Sequence, residues 1–197
     1  MLPQVDRFFV EAVTRVRGAF ASIDAEAEAY GDAMFQSYGN HSDEGDLGDY
    51  ADSARDQAVD FYVSLRQLEQ SLVNLLAAGL YHLFEQHRRR LRGMTAKDVD
   101  AMMKASSHWG KVNELRLVAN AVKHGSAESA RALHAVRPDL LVDPIILQTG
   151  LKKRALERVP GVIVPLGGDD LFLSQDDLEG YRDALYGLWQ EMASKLP

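Results

Sequence analysis

The chain has 197 residues, enough for one ordinary domain with a sizeable core. A formal net charge of −7 excludes a globally basic nucleic-acid binder, so any contact with nucleic acid has to come from a local patch. With no cysteine, disulfides, thiolate metal centres and cysteine nucleophiles are excluded, which fits a reducing compartment. The N-terminus Met1-Leu2-Pro3-Gln4-Val5-Asp6-Arg7 lacks a basic stretch followed by an apolar run. The most apolar window, residues 72–84, is interrupted by Asn74, Gly79 and His82. Neither a secretory leader nor a membrane span is expected, and a cytoplasmic location is.

Pro3 suits the first turn of a helix. After it, Val5, Phe8, Phe9, Ala12, Val13, Val16, Phe20, Ile23 and Ala27 recur at helical spacing. They predict one long amphipathic helix running on towards Tyr38, weakened at Gly18 and Gly31. Residues 39–49 are acidic, glycine-rich and aperiodic, hence a loop. Asp43, Glu44, Asp46 and Asp49 offer oxygen ligands there, but without the spacing of an EF-hand, so a solvated loop is expected rather than a calcium site. Residues 50–91 predict a second long helix, apolar nearly all round in its middle at Leu68, Leu72, Leu75, Leu76 and Leu80, and therefore central in a bundle. It closes on His87-Arg88-Arg89-Arg90-Leu91-Arg92-Gly93, basic residues where the helix dipole favours cations.

Thr95 and Asp98 fit the cap and first turn of a third helix, with Gly110 expected to break it. Gly125 fits the C-cap of the next helix, and a short one follows from Ser126 to about Val136, ahead of Pro138. Residues 138–174 form an irregular arm. In it, Val162-Ile163-Val164 and Leu171-Phe172-Leu173 suit either a small hairpin or a docked irregular segment. Ser174 caps a last helix whose apolar stripe is Leu178, Tyr181, Leu185, Leu188 and Met192. The prediction is a single all-α domain over residues 1–197: a bundle of long antiparallel helices with its core in 1–136, the arm in 138–174 and a C-terminal helix at 175–196.

The one chemically specific stretch is Glu114-Leu115-Arg116-Leu117-Val118-Ala119-Asn120-Ala121-Val122-Lys123-His124-Gly125. On a helix Arg116, Asn120 and His124 fall one turn apart and span about 80° of one face. Val112 and Ala119 wall this stripe on one side, Leu117 and Ala121 on the other. Arginine grips a phosphate with two donors, histidine exchanges a proton near neutrality, and asparagine can orient either group or a ribose hydroxyl. Those types suit metal-free RNA cleavage, in which a 2′-hydroxyl attacks its own phosphate while a cation stabilises the crowded phosphorane. The same three residues can also satisfy one another as buried polar packing.

At these residues the chain resembles the HEPN superfamily of helical bundles, many of them ribonucleases of bacterial toxin, abortive-infection or CRISPR-linked systems. The usual signature there is Arg, often a polar residue, then four to six residues and His; here seven residues separate Arg116 from His124. A subgroup of HEPN-like bacterial domains carries Arg-x-x-Gly-Asn-x-x-x-His, and residues 116–124 are similar to that version with Ala119 at the glycine. The motif covers nine residues, and helix order extends the likeness over 1–136. The resemblance implies a HEPN-like fold, a homodimer with facing sites, and a metal-independent endoribonuclease. In it Arg116, Asn120 and His124 are catalytic, no cofactor or metal is required, and an antitoxin or defence subunit is a partner. The alternative it implies is a catalytically inactive dimeric interaction or sensor module within a defence assembly.

Lys123 adds charge beside the stripe, and Arg88, Arg89 and Arg90 are candidates for contacts with RNA phosphates, against the alternative of a solvated helix end. Lys152-Lys153-Arg154 reads as surface. His82 and Glu85 sit one turn apart, but without further ligands a histidine bonded within the core is expected rather than a metal pair.

Overall fold

The computed structural model describes residues 2–39, 47–91, 95–125, 127–144 and 170–195. Among the described residues the protein is an all-α bundle without strands, made of α1 (Leu2–Phe8), α2 (Thr14–Ala19), α3 (Ile23–Gly39), α4 (Leu47–Arg88), α5 (Ala96–Lys104), α6 (Trp109–His124), α7 (Ala127–Val136) and α8 (Gln175–Ala193). A π-helical turn, Phe9–Val13, joins α1 to α2, and a 3₁₀ turn, Pro138–Leu141, follows α7.

The organising element is α4, 42 residues and so about 63 Å long. Its first half pairs with α3 as an antiparallel two-helix arm. Tyr30 stacks on Phe61 at 4.6 Å and Tyr38 on Tyr50 at 5.5 Å. Gly31 permits the close approach between them, since a Cβ there would stand 3.0 Å from that of Ala58. Ile23, Ala27 and Ala54 are the buried apolar residues of this arm, and they lie outside the main core. The second half of α4 enters that core, where Ala77, Leu80 and Phe84 pack with Leu115 and Val118 of α6 and Leu185 and Leu188 of α8.

The first predicted helix is not continuous. It passes through the π turn and breaks at residues 20–22, where Phe20 has φ −111° and ψ 11°. The cause lies in the register along α4. Phe8 rests against Gly79 and Tyr30 against Phe61, so residues 8–30 run beside the shorter stretch 61–79. The wider π turn and the break absorb the surplus. Gly110 does not break the chain either: it is the second residue of α6, and the turn falls at 105–108. Ser107 holds that turn on α8, its backbone N–H and hydroxyl donating to Glu191 at 3.3 and 2.5 Å. The leucine-rich middle of α4 is also less enclosed than its composition predicts, since Leu68 and Leu75 remain about half exposed.

Of the hairpin considered for the arm, residues 162–164 lie outside the described residues, as do Lys152, Lys153 and Arg154. Leu171, Phe172 and Leu173 are not a strand but a docked segment. The Phe172 N–H donates to the Leu140 carbonyl (2.8 Å), Asn74 Nδ2 to the Leu171 carbonyl (2.9 Å) and Gln70 Nε2 to the Leu173 carbonyl (3.0 Å). Asn74 is fully buried, and its bond to Leu171 together with the 3.2 Å bond that its Oδ1 accepts from Gln70 Nε2 satisfies an otherwise costly core amide.

The helix ends follow local chemistry. Thr95 with Asp98, and Ser174 with Asp177, each close a capping box, and Gly125 ends α6 in the left-handed region at φ 54°. Ser174→Ala is expected to lower unfolding free energy by about 1 kcal/mol, measured by urea denaturation. An unchanged midpoint would show that the box adds nothing to the docking of α8.

Candidate functional site

Helix α6 is held by one apolar face, on which Val112, Leu115, Val118, Ala119 and Val122 are buried. Leu117 and Ala121 are buried as well, so both predicted walls of the stripe point into the protein. Between them Arg116 and Asn120 are half-buried and His124 is exposed. The stripe opens to solvent progressively from its first residue to its last.

The three residues share a face without touching. Arg116 and His124 stand about 12 Å apart along the helix axis. Arg116 Nε donates to Asn113 Oδ1 at 3.0 Å, and among the described residues its guanidinium has no carboxylate partner. Asn120 and His124 make no side-chain hydrogen bond among the described residues. His124 closes the last turn of α6, and the Gly125 N–H returns to the Ala121 carbonyl. Lys123, one residue earlier, is exposed and carries its ammonium 6.0 Å from the ring centre of buried Tyr81. Burial pushes the Tyr81 phenol upward and the charge of Glu85 adds to this, while Arg116 and Arg88 pull the other way.

Arg116 opens into a cleft of about 350 Å³ between the end of α4, α5 and the start of α6. Arg88 lines it from α4, Asp100 and Lys104 from α5, and Trp109 and Asn113 from α6. Arg88 lies 3.5 Å from Asp100 Oδ1. Arg89 and Arg90 are exposed on the turn after α4 and form no ion pair among the described residues. Sequence reasoning singled out Arg88 and Arg116 but missed Asp100, Trp109 and Asn113, which line the same cleft from α5 and α6. Asp100 reaches the cleft from another helix, so spacing along the chain gives no signal for it.

His82 is exposed, not a core histidine, and its Nε2 contacts Gln86 Nε2 at 2.9 Å. Nothing in the core needs it, since the apolar face of α4 at this level is already filled by Tyr81 and Phe84. Among the described residues no three histidine, aspartate or glutamate side chains converge as metal ligands. Asp49 lies in the first turn of α4, whereas Asp43, Glu44 and Asp46 lie outside the described residues, as does Arg92. No helix among the described residues is long and apolar enough to cross a membrane.

A partly buried polar network lies elsewhere in the fold. Glu114 Oε1 accepts from Arg137 Nη1 (2.7 Å), Lys111 Nζ (2.7 Å) and the Tyr181 hydroxyl (2.9 Å). Arg137 also donates to Asp177 (2.9 Å) and Asp139 (2.7 Å). The Tyr181 phenol is pushed strongly upward by burial and by the Glu114 carboxylate. Arg137 is held cationic by Asp139 against the effect of burial, with Asp177 adding to the hold. These groups are consumed by one another and lock α6, the end of α7 and the start of α8 together. Arg116, by contrast, keeps its outer guanidinium nitrogens unpaired among the described residues. No family model, curated protein or solved structure matches this chain.

Proposed function

We propose that this protein is a HEPN-like, metal-independent endoribonuclease of bacterial defence or toxin type. It would act in the cytoplasm as a homodimer, with Arg116, Asn120 and His124 as its reactive face. The observation that carries this reading is the openness of the stripe. A structural trio would be sealed and mutually bonded, whereas here Arg116 faces a cation-lined cleft and His124 is exposed. In the proposed step, His124 takes the proton of a ribose 2′-hydroxyl, whose oxygen attacks the adjacent phosphorus. The bond from phosphorus to the 5′-oxygen breaks, and that oxygen leaves with the proton that His124 has taken, which restores the neutral imidazole. Arg116 offsets charge on the phosphorane, and Asn120 orients the ribose or the imidazole. Lys123, Arg88, Arg89 and Arg90 supply phosphate contacts. Two α6 faces apposed in a dimer would surround one RNA strand with two such sets.

The test is incubation of the full chain with single-stranded RNA in the presence of EDTA. Cleavage that persists with the metal chelated is expected. No cleavage, or cleavage only when a divalent cation is restored, would overturn the proposal. The net charge of −7 favours a second reading, a non-cleaving dimeric interaction or sensor module in a defence assembly with a protein partner. That module would assemble as a dimer and leave RNA intact.

A further inference from the structure

The net charge of the chain is not spread evenly over it. In α3 and in residues 47–64 of α4, eight of the 29 acids stand against one of the 22 lysines and arginines, Arg55. This two-helix arm therefore carries the whole charge of −7, and the remainder of the chain is balanced. Glu28 and Asp32 stand one turn apart beyond the first turn of α3, a spacing at which like charges destabilise a helix. Neither forms an ion pair among the described residues. Phe35 continues the same face, seven residues from Glu28, and is 41% exposed. These three residues border a groove of about 280 Å³ whose apolar lining is Gly31, Ala51 and Ala54. An acidic row that ends in an exposed aromatic suits a partner bringing both cations and an apolar seat.

Such a seat exists at the other end of α4. The cleft beside Arg116 holds Arg88, Lys104 and Arg116 against one acid, Asp100, and Met103 and half-buried Trp109 form its apolar wall. Its volume of about 350 Å³ is ample for one aromatic ring. Among the described residues the outer nitrogens of Arg116 are free to grip a carboxylate in two places. The match runs in both directions. Exposed Arg89 and Arg90, on the turn beside the cleft, have stems that suit the apolar groove and charged heads that suit its acidic rim. The two surfaces cannot meet within one molecule. Ala51 and Arg88 are 37 residues apart on one continuous helix, about 56 Å and several Debye lengths at physiological salt. Only a second copy brings them together.

We infer that Phe35, Asp32 and Glu28 of one copy dock into the Arg116 cleft of a second copy, in a head-to-tail contact between the two ends of α4. The contact is heterologous, so a string of copies keeps a free arm at one end and a free cleft at the other. It does not depend on α6 being a nuclease face. Analytical ultracentrifugation of the full chain tests it. At about 0.05 M salt the average mass is expected to climb with concentration beyond that of a dimer, and at about 0.5 M salt the climb should vanish. Phe35→Ala should weaken the association by roughly tenfold. An arm variant, Glu28→Lys with Asp32→Lys, and a cleft variant, Arg88→Gln with Lys104→Glu, should each fail to extend, with thermal unfolding run alongside to show that the fold persists. Mixed together they should recover one contact, because the first keeps its cleft and the second its arm. A mass that does not climb, a climb that both variants leave intact, or a mixture that fails to combine would overturn the inference. A fixed dimer unmoved by salt and by Phe35→Ala would belong to apposed α6 faces and overturn the head-to-tail contact alone. Binding of short poly-lysine without self-association would give the arm to a separate basic protein and overturn the assignment to a second copy. Head-to-tail assembly without RNA cleavage would leave the contact standing and remove the nuclease.

Discussion

Arg137→Ala is expected to lower the free energy of unfolding by about 3 kcal/mol. Arg137 bridges Glu114 and Asp177, whose side chains are each 12% exposed. Its removal leaves two carboxylates in a poorly hydrated place with Lys111 alone to neutralise them, at 2.7 Å from Glu114 and 3.9 Å from Asp177. An exposed pair would be worth far less, since solvent screens it. Urea denaturation measures the change, and a loss below about 1 kcal/mol would mean that the cluster is effectively solvated. Acid titration reads the same groups. Burial raises the Asp177 carboxyl, but hydrogen bonds from Ser174 and Arg137 outweigh it and leave the group below its ordinary value. The Asp139 carboxyl is lowered chiefly by Arg137. Both therefore contribute stability that is fully present above the unfolded carboxylate value of about 4. That stability is lost as pH falls through the lower folded values. The acid limb of unfolding should be shallower in Arg137→Ala than in the wild type.

His124→Ala is expected to lower RNA cleavage by about 10² to 10⁴-fold, the loss typical of a missing proton-transfer group. The side chain is exposed and makes no hydrogen bond among the described residues, so the unfolding midpoint should stay put. Arg116→Ala should lower cleavage by about 10² to 10³-fold, and Arg116→Lys should recover little, because a point charge does not reproduce the two-pronged contact. A His124→Ala protein that cuts RNA at the wild-type rate would remove histidine from the proposed reaction.

The parts of the fold that were legible in the sequence are those set by neighbours in the chain. Thr95 with Asp98, Ser174 with Asp177, and Gly125 each act within one turn, so their residue types reveal their roles. The stripe on α8 was equally legible, because Leu178, Tyr181, Leu185, Leu188 and Met192 repeat at helical spacing and all are buried. The break at residues 20–22 was not, because apolar periodicity runs through it and only packing along α4 requires it. The openness of the stripe was hidden for a similar reason. Spacing puts Arg116, Asn120 and His124 on one face, but which helices stop short of that face depends on α4 and α5. Most obscure was the Glu114 cluster, whose contacts span 23, 40 and 67 residues of sequence. Glu114 stands two residues before Arg116, yet it turns towards Arg137 and Tyr181 while Arg116 turns towards the cleft.

The chemistry of the cut ends distinguishes the proposed reaction from every metal-dependent hydrolysis that leaves a 5′-phosphate. RNA digested by the full chain in EDTA and analysed by mass spectrometry should carry 2′,3′-cyclic phosphates and 5′-hydroxyls. Those are the ends left when a 2′-oxygen displaces the 5′-oxygen under the control of His124 and Arg116. Ends bearing 3′-hydroxyls and 5′-phosphates, or RNA left intact, would rule out attack by the 2′-oxygen.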